Sequence, residues 1–202
     1  MKYSSLTKNF TSMKKSLLLF LCFFALFFTG KINAQWSIVP NIGVNNTRIT
    51  YYYNNFNKTN LEAANFLVYG IAAHYSFGKK IAFETNAQSS TKGNTLIRTS
   101  YLDVIQCAEY TLIPNLSFYS GVIFGFNMKE QRYDGQKWIN LPPGFGSFNE
   151  FCISGLLGVR AKYDKVQLSF HADRSITDFS IFKNLHLVYQ LTLGYKINLD
   201  TD

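Results

Sequence analysis

From Gln35 onward, apolar and polar side chains alternate with a period of two, and no window holds the 3.6-residue period of an amphipathic helix. The alternation is clearest near the end of the chain. Leu185, Leu187, Tyr189, Leu191, Leu193, Tyr195 and Ile197 share one face, and His186, Val188, Gln190, Thr192, Gly194 and Lys196 share the other. Turn-forming residues cut the pattern into eight predicted strands, at about 36–46, 66–77, 80–90, 100–112, 115–128, 150–163, 166–174 and 184–198.

The connections between these strands alternate between short and long. Tight turns are predicted at Gly78-Lys79-Lys80, Ile113-Pro114-Asn115 and Asp164-Lys165. Longer connections run through Tyr51 to Asn65, Ser90 to Thr99, Lys129 to Asn149 and Ser175 to Asn184. That rhythm predicts an all-β chain, an eight-stranded antiparallel up-and-down transmembrane β-barrel with tight periplasmic turns and long outer loops. Each strand is long enough for the roughly 9–11 residues that a tilted strand needs to cross hydrocarbon.

Periodicity does not say which face points outward. A soluble periplasmic lipocalin-like ligand carrier would turn the apolar face in. Two features favour the opposite orientation. The polar face carries Gly43, Gly70, Gly121, Gly125, Gly158 and Gly194, which weaken an exposed strand face but make room in a narrow lumen. The apolar face is also too bulky to be housed inside eight strands, whose interior is only just wide enough for side chains to fill. Tyr69, Tyr75, Tyr110, Tyr163, Tyr189 and Tyr195 are expected near strand ends, as an interfacial girdle.

Residues 1–34 have the makeup of a cleaved signal peptide: Lys14 and Lys15, an apolar run from Leu17 to Phe28, and a cleavage point after Ala34. The run is too short for a helix that spans a membrane, which needs about 20 residues. Met13 is an alternative start to Met1, and Leu21 before Cys22 argues against a lipid-anchored cysteine. Residues 35–202 then form the outer-membrane β-barrel domain. The export signal and barrel pattern together imply the cell outer membrane of a Gram-negative bacterium.

Composition narrows the function. The 202 residues carry a formal charge of +8, but five of the twenty basic residues lie in the leader. The mature chain holds fifteen basic against twelve acidic residues, a net +3, which gives no support to nucleic-acid binding. An aromatic content of 17% with only 16% charged residues argues against a disordered chain.

Three stretches resemble the PorT-like family of small outer-membrane β-barrel proteins. Gln35 to Arg48, with its PNIGVNNTR, is similar to the family's opening strand. Tyr101-Leu102-Asp103-Val104 followed by Asn115-Leu116-Ser117-Phe118-Tyr119 resembles its central hairpin. Leu191-Thr192-Leu193-Gly194-Tyr195-Lys196-Ile197 resembles its closing strand. The chain departs from the family in having Ile105 where a proline is expected, and in running on from Ile197 to Asp202 without a terminal aromatic. The resemblance implies an outer-membrane location, and the family's named member acts in a secretion system.

The polar face gathers His74, Glu84, Asp103, Glu109, Arg160, Lys162, His171, Asp173, His186 and Lys196, and buried charges of this kind must pair inside a narrow lumen. Counting from the tight turns places Glu84 across from His74, Arg160 across from Ser169, and Glu109 beside Tyr119.

Ser169, His171 and Asp173 are the residue types of a hydrolase triad, so a lipid-modifying outer-membrane enzyme is the catalytic alternative. Their i, i+2, i+4 spacing leaves neighbouring Cα atoms ~6.6–6.8 Å apart, too far for direct relay contacts of about 2.6–3.2 Å. No catalytic or cofactor site is therefore expected, nor a metal site, since none of the three histidines shows ligand spacing with another, and Cys107 and Cys152 are expected as unpaired thiols at different heights.

The outer loops offer candidate contact residues in Tyr51, Tyr52, Tyr53, Arg132, Tyr133, Trp138 and Phe145. The expected role is non-enzymatic: structural, adhesive or secretion-associated. Expected partners are outer-membrane lipid and lipopolysaccharide, the barrel-assembly machinery, and other envelope or secretion proteins.

Overall fold

In the computed structural model, the described residues are 35–53, 57–60, 62–141, 151–177 and 185–199, with side chains described from 62 onward and for 35–48. The leader and its cleavage point lie outside them. Eleven strands run in chain order: β1 (Gln35–Tyr53), β2 (Asn57–Asn60), β3 (Ala64–Phe77), β4 (Ile81–Gly93), β5 (Ile97–Ile113), β6 (Leu116–Tyr133), β7 (Trp138–Leu141), β8 (Phe151–Tyr163), β9 (Val166–Ser175), β10 (Leu185–Tyr195) and β11 (Ile197–Asn198). Eight are long: β1, β3, β4, β5, β6, β8, β9 and β10. Each pairs antiparallel with its neighbours, and β10 pairs back onto β1 to close the barrel.

The closure can be followed residue by residue. Ser37 pairs with His74, His74 with Glu84, Glu84 with Cys107, and Cys107 with Gly121. Gly121 pairs with Leu156, Leu156 with Asp173, and Asp173 with Val188. Val188 returns to β1 at Thr47, ten residues above the start. With eight strands, that stagger tilts them by about 40° to the barrel axis.

The apolar face is on the outside. Leu191 and Leu193 are 44% and 51% exposed, while Gln190 and Thr192 beside them are buried. The same alternation runs along β3 through β9, with Leu67, Ile71, Phe83, Phe118, Leu157, Leu168 and Phe170 exposed. A soluble lipocalin-like carrier is thereby excluded, because its apolar residues would line the lumen. Around the barrel these exposed residues form a surface that water would penalise and lipid would not.

Trp36, Tyr75, Phe77 and Phe83 make an aromatic chain on the outer face at the end where the tight turns lie. Their successive ring centroids are 4.6, 4.3 and 5.5 Å apart. Tyr110, Tyr163 and Tyr195 stand at the same end. Tyr69 and Tyr189 do not fit the girdle expected from sequence, since they sit inside β3 and β10.

Each of the six lumen glycines is closely packed, and Gly158 and Gly125 show it against side chains. A Cβ at Gly158 would lie 2.5 Å from Tyr119 Cζ and 2.7 Å from His171 Cβ, and one at Gly125 would lie 2.7 Å from Cys152 Sγ.

The three tight turns fall where the sequence places them, but the outer ends differ. The predicted long connection from Ser90 to Thr99 is instead strand on both sides of a short turn at 94–96. Asn94 closes that turn: its Oδ1 accepts the amides of Leu96 and Ile97 at 2.7 and 2.8 Å. Two other predicted loops are partly strand. Tyr51 to Tyr53 extend β1 against β2, and 129–133 extend β6 against β7, so two hairpins lengthen the wall on the loop side.

Candidate functional site: lumen ion-pair layers and the outer hairpins

Two charged layers cross the lumen. The lower one centres on Arg160, which the alternation of β8 turns inward. Its Nη1 and Nη2 donate to Glu84 at 2.7 and 2.9 Å, Nη1 also donates to Glu109 at 2.7 Å, and Nε donates to Ser169 at 2.9 Å. Lys162 donates to the other oxygen of Glu109, and His74 Nε2 stands 3.6 Å from the same carboxylate. The guanidinium lies 4.9 Å from the centre of the Tyr119 ring, whose hydroxyl is 3.1 Å from His171 Nδ1.

The upper layer is built by Lys92 and Asp103. Lys92 Nζ donates to Asp103 at 3.0 Å, Ser90 donates to the same carboxylate at 2.6 Å, and the ammonium lies 5.0 Å from the centre of the Tyr101 ring. Beside them His186 Nε2 is 3.2 Å from Asp173 and 3.0 Å from the Ser154 hydroxyl. Between the layers, the amides of Gln88 and Gln190 exchange hydrogen bonds at 3.1 and 3.2 Å. A cavity of about 20 Å³ beside Arg160 and Glu84 has room for one water.

The register counted from the turns is the one observed: His74 pairs with Glu84, Arg160 with Ser169, and Glu109 with Tyr119. The structure brings His74, Glu84, Glu109, Arg160 and Lys162 into one cluster, and Asp103, Asp173 and His186 into the other, with His171 between them. Lys196 lies apart, in the break between β10 and β11, where its amide donates to the Lys165 carbonyl at 2.7 Å.

Sequence reasoning misses Lys92 and Glu130, both of which fall in predicted loops. Lys92 continues the even-numbered inward series Glu84, Asn86, Gln88, Ser90. Glu130 faces inward because of a bulge: Tyr101 pairs with Asn127 but Ser100 with Lys129, so Met128 is an extra residue and the facing parity of β6 reverses beyond it.

Ser169, His171 and Asp173 do not assemble as a relay. The Ser169 hydroxyl is taken by Arg160, and His171 Nε2 is 4.0 Å from Asp173. Among the described residues no three or more His, Cys, Asp or Glu side chains are arranged so that they could hold a metal ion. Cys107 and Cys152 are both buried and unbridged.

On the outer hairpin of β6 and β7, Tyr133 packs on Trp138 at 5.5 Å, and the Arg98 guanidinium stacks 4.1 Å from the Trp138 ring. Arg132, between Gln131 and Tyr133 in the strand, is exposed. At the tip, the amides of Lys137 and Gln136 donate to Asp134 at 2.8 and 2.9 Å and hold its carboxyl below the usual carboxylate range. The side chains of Tyr51, Tyr52 and Tyr53, and all of Phe145, lie outside the described residues.

The fold defined by this closed, apolar-faced barrel is that of small outer-membrane β-barrels. The chain is similar to Ail, the attachment invasion locus protein of Yersinia pestis, at 13% identity over 80% of this chain and 98% of that one, with a TM-score of 0.51. Ail in complex with the heparin analogue sucrose octasulfate gives 13% identity, 81% and 99% coverage, and a TM-score of 0.51. Neisserial surface protein A gives 11% identity, 82% and 99% coverage, and a TM-score of 0.54. At these identities the likeness concerns the fold. No protein-family model matches the chain, and no curated protein does.

Proposed function

We propose that this chain is an integral outer-membrane protein, exported by a signal peptide cleaved after Ala34, whose role is non-enzymatic and carried by its outer hairpins. The outward apolar face carries the membrane placement. A residue such as Leu157, 67% exposed on the wall of a closed barrel, is at home only against lipid.

The lumen supports a structural role for the barrel itself. Charges that meet in direct ion pairs across the interior fill the space a wide pore would need. That leaves the exposed surface beyond the rim to do the work. There Arg98, Tyr133 and Trp138 form an aromatic and cationic platform on a paired hairpin, a surface suited to contact with another molecule. Attachment is a role the same scaffold carries in Ail, by that protein's name. The PorT-like motifs favour a secretion-associated role within the same reading, with envelope proteins, lipid and the barrel-assembly machinery as partners.

The test is a deletion strain complemented with a barrel whose 130–141 hairpin is replaced by a two-residue turn. The trimmed barrel is expected to reach the membrane and fold, while the attachment or secretion defect of the deletion persists. Full complementation by the trimmed barrel would move the function from the hairpin to the barrel wall or lumen.

A further inference from the structure

Charge is distributed unevenly between the two faces of the wall. On the described strands every carboxylate, namely Glu84, Asp103, Glu109, Glu130 and Asp173, is buried on the lumen side. The charged side chains that point outward from the wall, Arg48, Arg98, Lys129 and Arg174, are all basic and all stand toward the hairpin end. Arg98 is held by Trp138 and by Gln131, to which its Nε donates at 2.7 Å.

Arg48 and Arg174 form a pair. Arg48 pairs with Leu187, and Leu187 pairs with Arg174, so the two arginines flank one leucine across three adjacent strands. At the spacing of neighbouring strands, their Cα atoms are about 10 Å apart. Both are exposed, and neither meets a carboxylate among the described residues.

Below them the wall is hollowed. A shallow groove of about 500 Å³, open to the outside, runs over Ser120, Gly155, Leu157 and Ala172 to Leu187 and Arg174. Its floor at Gly155 differs from the lumen glycines, since an added Cβ there would meet only Ile176, at an ordinary 3.5 Å. No close packing requires glycine at that position, so its effect is to keep the groove open.

We propose that this face binds a phosphorylated glycolipid of the lipid A type, with Arg48 and Arg174 on its phosphates and one acyl chain along the groove. The inference rests on the membrane placement proposed above. Guanidinium groups match phosphate bidentately, and two of them about 10 Å apart suit a headgroup with more than one phosphate better than a single small anion. An arginine facing outward costs little at the interface, whereas an acyl chain can follow the apolar groove toward the bilayer centre.

The experiment is a native mass-spectrometric titration of the full mature chain, folded in detergent, with diphosphoryl lipid A. The expected result is a saturable one-to-one adduct. It should weaken by about tenfold or more in Arg48→Gln/Arg174→Gln, consistent with lost charge-assisted hydrogen bonds. Gly155→Leu, which fills the groove and leaves both arginines, should weaken it as well, while Lys129→Gln should not. Equal binding by the double variant overturns the proposal. So does equal binding of dephosphorylated lipid A, or of phosphatidylglycerol, which would mean that any such chain or any anionic lipid suffices. A parent protein whose gel mobility is the same boiled and unboiled would sink the membrane reading itself, and is distinguishable from both.

Discussion

Arg160 and Glu84 face each other across the lumen from β8 and β4, two strands separated by β5 and β6, and are joined by parallel hydrogen bonds of 2.7 and 2.9 Å. The pair ties together parts of the wall that share no backbone ladder. Glu109, from β5, shares the same guanidinium.

Removing the guanidinium should therefore be costly. Arg160→Met leaves two buried carboxylates with Lys162, beside Glu109, as the one lysine or arginine among the described residues still paired to them. The expected loss is about 3–5 kcal/mol, measured by reversible urea unfolding in lipid vesicles. Adding Glu84→Gln and Glu109→Gln to the same chain should restore a large part of it, because the penalty is that of unpaired charge.

Gly158 should resist even alanine. Its Cβ would meet Tyr119 Cζ at 2.5 Å and the Phe170 carbonyl at 2.7 Å, so Gly158→Ala is expected to cost about 1–3 kcal/mol. Tyr119→Ala in the same chain should relieve part of that strain. The two changes would then be non-additive in unfolding free energy.

Substitutions on the outer wall should scale with depth. Leu191→Arg, on the apolar belt well above the tight turns, is expected to cost about 2–4 kcal/mol in the bilayer. Tyr195→Arg, close to the Asp164–Lys165 turn, should cost at most about 1 kcal/mol. Equal costs at the two positions would mean that the wall does not face hydrocarbon.

The thiols give a chemical readout of closure. Cys107 and Cys152 are buried and unbridged. A maleimide should label neither in the folded barrel and both after denaturation, with identical gel mobility in the presence and absence of reductant.

Much of the fold is legible in the amino-acid sequence. The period of two and the three tight turns follow from side-chain pattern and from Gly78, Pro114 and the Asp164-Lys165 pair, because these are local properties, while the outward face follows from the glycines of the polar face and the bulk of the apolar one. The pairs His74–Glu84 and Arg160–Ser169 also follow, since a tight turn fixes the register of its own hairpin. The partner chosen by Glu84 does not. It lies opposite His74 on the ladder but bonds Arg160 on β8, which depends on the tilt of the whole barrel and the reach of long side chains. Glu130 is hidden by the bulge at Met128, which reverses the alternation of β6. Lys92 is hidden differently: the polar stretch from Ser90 to Thr95 looks like a loop, and only the fold shows that Ser90, Lys92 and Asn94 are buried on the lumen side.

Whether the closed barrel sets its apolar face against lipid can be measured on the expressed protein. It should be recovered from outer membranes, and boiled and unboiled samples run side by side in detergent gels. A lipid-facing barrel resists a carbonate wash, and its mobility changes on boiling because it stays folded in detergent until heated. A protein released by the wash, with the same mobility in both lanes, would contradict that placement.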